Sequence, residues 1–432
     1  MRVTRKRFCS ALLAAYLLFS LYAAYSVFLK PRRSNSSRAG PKEKHGRDYV
    51  GLGPEEWNPW EVDEKKSATT IPLLKKVKLQ QEQVALRVQI WGKAAIGLYL
   101  WQHIFEGLLD PADISAPWRE GSIKEGTSLF SFITGPAVVP GYISVETDNV
   151  VLVLNGREEG KISYATQWLH YAQALVQTRK LQHVAVVLLG SEQCKNEWIS
   201  PYLKRYGGFV DLLFVIYDSP LVNEEDVFQW PLGVATYRNF PVVEPTWSML
   251  YSSRLYQCNF LGTVYKNSTR ETLMEVLKQN GLHKLCWIST REEWWPQETN
   301  ETLQNYQDAL LQSDLTLCPL GVNTECYRIY EACSFGSIPV VEDTMTPGNC
   351  GNSSVSLSAP LQLLKTMGAP FIFIKSWKEL PAILEKEQNM TLQDKIQRRK
   401  TLMEWYRQFK AQMKQKIIRT LENAFLPTNG GH

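Results

Sequence analysis

A chain of 432 residues that is 44% apolar and 11% aromatic has room for two core-bearing domains, and such a composition excludes a protein dominated by disorder. Its formal charge of +5 is modest for the length, and no long basic stripe interleaved with aromatics occurs, which argues against nucleic acid as a partner.

The first 29 residues set the expected compartment. Residues 8–29 form an uncharged run long enough to span a bilayer, preceded by Arg2, Arg5, Lys6 and Arg7. A cleavable signal peptide is the rival reading, but the run exceeds a typical signal h-region and lacks a clear small-residue cleavage site. The expectation is a retained anchor at 8–29 behind a cytosolic tail at 1–7, with the bulk of the chain on the far side. Lys30, Arg32 and Arg33 blur the charge bias that fixes orientation. Sequons at Asn35, Asn267, Asn300, Asn352 and Asn389 support a lumenal body. The seven cysteines after the anchor show no zinc-type spacing, so one or two disulfides and at least one free thiol are expected.

Residues 30–83 are rich in charge, Ser and Pro and read as a stem, interrupted by the aromatic patch Trp57, Pro59 and Trp60. From residue 84 the composition becomes globular. Val88 to Leu109 mixes strand and helix signals without a clear partition. Val150–Leu154, His183–Leu189 and Asp211–Tyr217 are buried-type strands, and Ser163–Val176 has helical spacing, which predicts a doubly wound α/β domain over 84–245. The Pro- and Gly-punctuated stretch Phe228–Val243 reads as the crossing between two domains. A second α/β series over 246–390 runs through strand Cys258–Thr263, helix Arg270–Gln279, strand Lys284–Ile288 and helix Leu303–Leu311, with a late strand at Phe371–Ile374. The tail, 391–432, begins with a long basic helical pattern at Leu392–Phe425. Its basic residues suit either a solvated face or a helix lying over the cleft to attract an anion.

Ser313 to Asp343 reads as strand, polar loop, short helix, glycine stop and strand, one βαβ unit of a parallel sheet. In such sheets ligands sit beyond the carboxyl ends of the strands, so the loop Gly321–Thr324 and the first helical turn face a cleft. Arg328 and Glu331 are three apart on one helix face. A cation near a helix N-terminus opposes the macrodipole unless an anion lies between them; a guanidinium and backbone N–H groups together suit a diphosphate, and a carboxylate one turn on can accept from sugar hydroxyls. An ordinary surface Arg–Glu pair fits the same two residues. Asn323 and Thr324 at the helix start join the candidate ligand contacts.

Several chemistries have no signal. No dinucleotide fingerprint, Walker loop or Gly-x-Ser-x-Gly elbow is present. Nowhere do two aspartates stand two apart, the pair that usually holds a divalent cation on a diphosphate; Glu224-Glu225-Asp226 is the nearest run and reads as an acidic loop. Without a metal, a leaving diphosphate must be neutralised by Arg, Lys and helix N-termini.

The elements Leu-Cys-Pro-x-Gly, Tyr-Arg-x-x-Glu-Ala and Gly-x-Ile-Pro-Val between Asp314 and Val341 resemble the donor-nucleotide motif of exostosin-like glycosyltransferases of the GT-B fold. Asn259-Phe-Leu-Gly-Thr263 with Arg270 resembles the segment that opens the same half. Over the full chain, WNPWE, QIWGKAAIGLYLW and FQWPLGVATYRNFPVVE resemble the members that act on the dystroglycan glycan. The resemblance implies two Rossmann-like domains, acceptor-side then donor-side. It implies inverting transfer of xylose from UDP-xylose to ribitol-5-phosphate on the O-mannosyl glycan of α-dystroglycan in the Golgi. With the anchor at 8–29 the expectation is a single-pass type II protein of the Golgi membrane, and the missing aspartate pair leads to the further expectation that no divalent metal is required. Other transferases of that pathway are further expected partners. Arg328 becomes the diphosphate clamp, Glu331 the ribose partner, Gly336 the helix stop, and Gly262, Thr263 and Arg270 further donor contacts. The family's basic residue in the Pro-x-Gly loop is missing, since Leu320-Gly321-Val322-Asn323 stands there. Asp218 and Glu158 are the candidate general bases, each also suited to a turn or cap, and His170 reads as helix packing. A transferase using another UDP-sugar, or a catalytically silent Golgi scaffold, fits the same motifs.

Overall fold

A computed structural model describes residues 84–279, 281–293, 299–346 and 360–426. The expected tail, anchor and stem lie outside the described residues, as do Asn35, Asn352 and Cys350. Among the described residues no helix is long and apolar enough to cross a membrane.

The first half builds a sheet in the order β2-β3-β1-β4-β5-β6-β7 from β1 (Leu86–Gly92), β2 (Arg119–Glu125), β3 (Ser128–Thr134), β4 (Asn149–Asn155), β5 (His183–Leu189), β6 (Leu212–Ile216) and β7 (Val227–Trp230). All pairings are parallel except β2 on β3. The near-continuous apolar runs of β4, β5 and β6 follow from burial on both faces, as a parallel sheet requires. Helix α1 (Glu159–Gln177) covers one face with Ala165, Trp168, Leu169 and Ala172. On the other face the ambiguous Val88–Leu109 stretch resolves into β1 and a helical segment, Ile96–Leu98 continuing as the π-helical Tyr99–Ile104. The hairpin β2–β3 turns through Gly126 at φ +58°, a left-handed conformation that glycine adopts without a Cβ penalty. Val227–Trp230, placed partly inside the crossing loop by sequence, is the edge strand of this sheet.

The second half is an all-parallel sheet, β12-β11-β10-β8-β9, from β8 (Tyr256–Thr263), β9 (Cys286–Arg291), β10 (Ser313–Cys318), β11 (Ile338–Glu342) and β12 (Ile372–Ile374). Helices α2 (Thr269–Gln279), α3 (Asn300–Gln312), α4 (Tyr327–Ser334) and α5 (Leu380–Asn389) flank it. The predicted βαβ unit over Ser313 to Asp343 is β10, α4 and β11. Gly336 ends α4 at φ +67°, and a Cβ there would meet Met403 Sδ at 2.9 Å. Arg254 gathers the ends of α3 and α4: Nη1 donates to Leu310 O at 3.1 Å and Ser313 O at 2.6 Å, and Nη2 to Phe335 O at 2.7 Å. These carbonyls lack partners within their own helices, so one guanidinium fixes two elements that frame the site. A Cys258–Cys286 disulfide joins β8 to β9, Cys194 is also disulfide-bonded, and Cys318, Cys326 and Cys333 lie outside disulfides.

Helix α6 (Leu392–Phe425) is a strap rather than a cleft cover. Its residues Arg399, Leu402, Tyr406, Phe409, Met413, Ile417 and Leu421 recur at helical spacing and are buried. At its start Arg399 and Lys395 pair with Asp314 of β10. Towards its end Lys414 pairs with Glu125, Lys416 with Glu224, and Phe425 stacks on His183 at 5.0 Å. A helix of 34 residues spans about 51 Å, enough to reach both sheets.

Candidate functional site

At the carboxyl end of the second sheet lies a cavity of about 260 Å³. Its floor is the end of β8, Leu261 to Thr263, and of β9, Ser289 to Arg291. The first turn of α4 brings Cys326, Tyr327, Arg328 and Glu331; the start of α3 brings Thr302, Asn305 and Tyr306; the crossing segment brings Ala235, Tyr237, Arg238 and Phe240. Four arginines, Arg238, Arg270, Arg291 and Arg328, face one carboxylate, Glu331, among the lining residues. Such an excess of positive charge over negative selects an anion.

Arg328 is held side-on to the floor. Its Nη2 donates to Leu261 O at 3.1 Å, its Cζ lies 5.0 Å from the centre of the Phe260 ring, and its Nε has no partner among the described residues. Gly262 eases this approach, since a Cβ there would stand 3.0 Å from Nη2 and push the guanidinium back by a few tenths of an ångström. Burial works against its charge, but Tyr306, Cys326, Cys318 and Glu331 nearby raise its pKa above the ordinary range. Arg270 donates from Nη1 to Thr263 O at 3.0 Å and lies 5.7 Å from the Tyr265 ring. Glu331 accepts from Ala235 N at 3.0 Å on one oxygen and from the Tyr306 hydroxyl at 2.6 Å on the other. Burial raises its pKa, opposed by these two donors and by Arg238 and Arg328. Tyr237 and Tyr327 meet edge to face at 5.7 Å and add aromatic surface beside the arginines.

Of the sequence candidates, Gly262, Thr263, Arg270, Arg328 and Glu331 converge on this cavity. Gly321, Asn323 and Thr324 do not line it. Asn323 Nδ2 donates to Glu192 O at 3.3 Å while its Oδ1 accepts Glu325 N at 3.0 Å, and Thr324 Oγ1 donates to Thr344 O at 2.9 Å. A loop buried between the halves must satisfy its neighbours' backbone groups, and these polar side chains do that instead of facing a ligand. Asp218 also lies outside the cavity; its carboxylate accepts Leu361 N at 2.7 Å and Gln362 N at 3.2 Å. Glu158 is exposed at the N-cap of α1, away from the cavity lining. His170 is exposed on α1 rather than packed in the core, 3.5 Å from the Tyr202 hydroxyl and outside the cavity lining. Sequence reasoning missed Arg238, Arg291, Tyr237 and Tyr306, which come from three separate elements and share no local spacing.

Between the halves, Glu325 Oε1 accepts both Leu232 N at 2.9 Å and the Tyr330 hydroxyl at 2.5 Å. Burial pushes its pKa from 4.5 to about 7, with Asp218 adding to the rise. An acid whose folded pKa exceeds its unfolded value stabilises the fold fully below the unfolded value, and that contribution is lost as pH rises through the folded one. Relative to Glu325→Gln, the wild type is therefore expected to lose roughly 3 kcal/mol between pH 4.5 and 8, at 1.36 kcal/mol per pKa unit. Urea midpoints of both proteins at four pH values check this, and a pH-independent difference would contradict it.

A parallel α/β scaffold with an arginine-lined cavity at a strand carboxyl edge, and a buried carboxylate able to accept hydroxyls, suits an anionic, hydroxyl-bearing ligand. Comparison with known proteins specifies the class. The RXYLT1 N-terminal domain matches residues 88–231 and the RXYLT1 C-terminal domain residues 237–426. Ribitol-5-phosphate xylosyltransferase 1 of Homo sapiens is 65% identical over 99% of this chain and all of the relative. The protein of the same name from Mus musculus is 64% identical over 99% of the chain and all of the relative, and that of Danio rerio 56% identical over 98% and 99%. Among solved structures, the catalytic domain of Starch Synthase IV from Arabidopsis thaliana bound to ADP and acarbose aligns with 78% of this chain and 99% of its own, at 8% identity and a TM-score of 0.39. The chain belongs to the ribitol-5-phosphate xylosyltransferase 1 family, and is accordingly a glycosyltransferase.

Proposed function

We propose that this protein transfers xylose from UDP-xylose to ribitol-5-phosphate on the O-mannosyl glycan of α-dystroglycan, with inversion at the anomeric carbon, in a GT-B arrangement of its two halves. The observation that carries the reading is the arginine-lined cavity at the carboxyl end of β8 and β9, in a chain whose relatives bear the xylosyltransferase name. In the reaction an acceptor hydroxyl attacks the anomeric carbon, the bond from that carbon to the diphosphate oxygen breaks, the hydroxyl proton passes to a base, and UDP leaves. Negative charge develops on the departing diphosphate, where Arg328, Arg270, Arg238 and Arg291 stabilise it more in the transition state than in the ground state. Tyr237 and Tyr327 offer ring surface to the uracil.

Residues 8–29 are proposed as a Golgi membrane anchor, with the catalytic body in the lumen and other transferases of the pathway as neighbours. The exposed positions of Asn267, Asn300 and Asn389 support that side.

Charge neutralisation by guanidinium groups makes the reaction independent of a divalent cation in this account. Xylose transfer from UDP-xylose to a ribitol-phosphate glycan is expected to keep most of its rate in EDTA, with inverted configuration in the product by NMR. Complete loss that manganese restores would contradict the arginine-based mechanism.

A further inference from the structure

We propose that Tyr306 is a positioning residue, holding the Glu331 carboxylate in the orientation that accepts both hydroxyls of the nucleotide ribose and so setting the preference for ribonucleotide over deoxyribonucleotide donors. The inference rests on the UDP-sugar reading of the cavity.

An ionised carboxylate has about four lone-pair directions on two oxygens. In this structure each oxygen holds one donor, Ala235 N at 3.0 Å on Oε1 and Tyr306 Oη at 2.6 Å on Oε2. Each oxygen therefore keeps acceptor capacity, and Glu331 lines the cavity. Two adjacent oxygens with one vacancy apiece suit a vicinal diol, which donates two parallel O–H bonds.

The two donors come from independent elements: Ala235 from the crossing segment and Tyr306 from α3. Neither belongs to α4, which carries Glu331, so the carboxylate is braced from outside its own helix. The alternative partners for that carboxylate are Arg328 and Arg238, both of which line the same cavity. An unbraced Glu331 can turn towards either guanidinium, losing the diol and neutralising a charge meant for phosphate. The tyrosine ring is held separately, edge to face with Phe240 at 6.5 Å. Removing the hydroxyl alone leaves that packing in place.

Titration calorimetry of the purified protein with UDP and with 2′-deoxy-UDP tests the proposal. Wild type is expected to favour UDP by about 30-fold, and Tyr306→Phe to reduce that ratio to about 3-fold, the effect of losing one well-oriented hydrogen bond to a charged group. KM for UDP-xylose is expected to rise by a larger factor than kcat falls, the split expected of a hydroxyl that acts through donor binding. Glu331→Gln, which keeps Tyr306 but withdraws one acceptor oxygen, is expected to lower the ratio as far, and adding Tyr306→Phe to it changes the ratio no further. Tyr306→Phe lowering both affinities equally, or acting undiminished in the Glu331→Gln background, overturns the positioning role alone. Absence of UDP binding to the wild type overturns the donor reading, and this inference with it.

Discussion

Arg328→Ala is expected to weaken UDP binding by at least about 100-fold, a loss of roughly 2.7 kcal/mol, while the protein stays folded. The guanidinium is pinned to Leu261 O and stacked on Phe260, which orients its remaining N–H groups, and its Nε is buried with no partner among the described residues. A buried donor left unmet in the free protein is a group that ligand binding can satisfy. Charge-assisted bonds from a planar fork to phosphate oxygens are among the strongest polar contacts available, so truncation removes both charge and direction. Arg328→Lys restores a point charge without the fork and is expected to recover only part of the affinity. The fold loses one donor to Leu261 O, a cost of about 1 kcal/mol, offset by no longer burying a cation. Calorimetry with UDP and a thermal melt separate the two effects; unchanged affinity would remove Arg328 from the donor site.

Asp314→Ala is expected to destabilise the protein by about 3–5 kcal/mol without touching the cavity. Asp314 on β10 is 3% exposed and Arg399 on α6 is 1% exposed. Arg399 Nη2 donates to Asp314 Oδ1 at 2.6 Å, and Lys395 Nζ lies 3.0 Å from Oδ2. Without the carboxylate the buried Arg399 guanidinium loses its counter-charge, and the nearby Lys395 ammonium keeps only Glu387 Oε1 at 3.6 Å. Arg399 keeps its bonds to Ser252 O at 2.6 Å and Leu250 O at 3.3 Å, which soften the loss but carry no negative charge. Because α6 also grips the first sheet through Lys414, Lys416 and Phe425, loosening its start weakens the strap between the halves. Adding Arg399→Met to Asp314→Ala replaces the stranded charge with apolar volume and is expected to recover most of the stability. Denaturant unfolding measures both; a change below about 1 kcal/mol for Asp314→Ala would show that the pair is not what holds the helix.

The parts of the fold that could be read from the sequence are those governed by local patterning. Buried strands such as Val150–Leu154 and His183–Leu189 are apolar runs with turn signals at their ends, and β10, α4 and β11 follow a strand, helix and strand pattern closed by Gly336. Arg328 and Glu331 were legible because one turn of helix puts them on one face. The antiparallel hairpin β2–β3 was not, since Arg119–Glu125 is a half-exposed strand whose residues, REGSIKE, carry little apolar signal. Tyr306, Arg238 and Arg291 were hidden for a different reason: each reaches the cavity only because α3, the crossing segment and β9 fold around α4. Polar residues in the loop before α4 looked like ligand contacts, but Asn323 donates to Glu192 O across the buried boundary between the halves and Thr324 to Thr344 O within the second half. The basic pattern of α6 reads by default as a solvated face, with a cleft cover as the alternative. Lys395 and Arg399 pair with Asp314 of β10, Lys414 with Glu125 of β2 and Lys416 with Glu224 of the loop before β7, a tertiary arrangement that spacing along one helix cannot reveal, while Arg407 and Arg419 are exposed.

The central claim is that the arginine cavity holds UDP-xylose for transfer to a ribitol-phosphate acceptor. Purified protein offered UDP-xylose, UDP-glucuronate and UDP-N-acetylglucosamine in turn, each with and without a ribitol-phosphate glycan, tests it most directly. Of the three donors only UDP-xylose is expected to be turned over, with xylose appearing on the ribitol-phosphate glycan when that glycan is supplied. Turnover of another UDP-sugar in its place, or no turnover by protein shown to be folded, would contradict it.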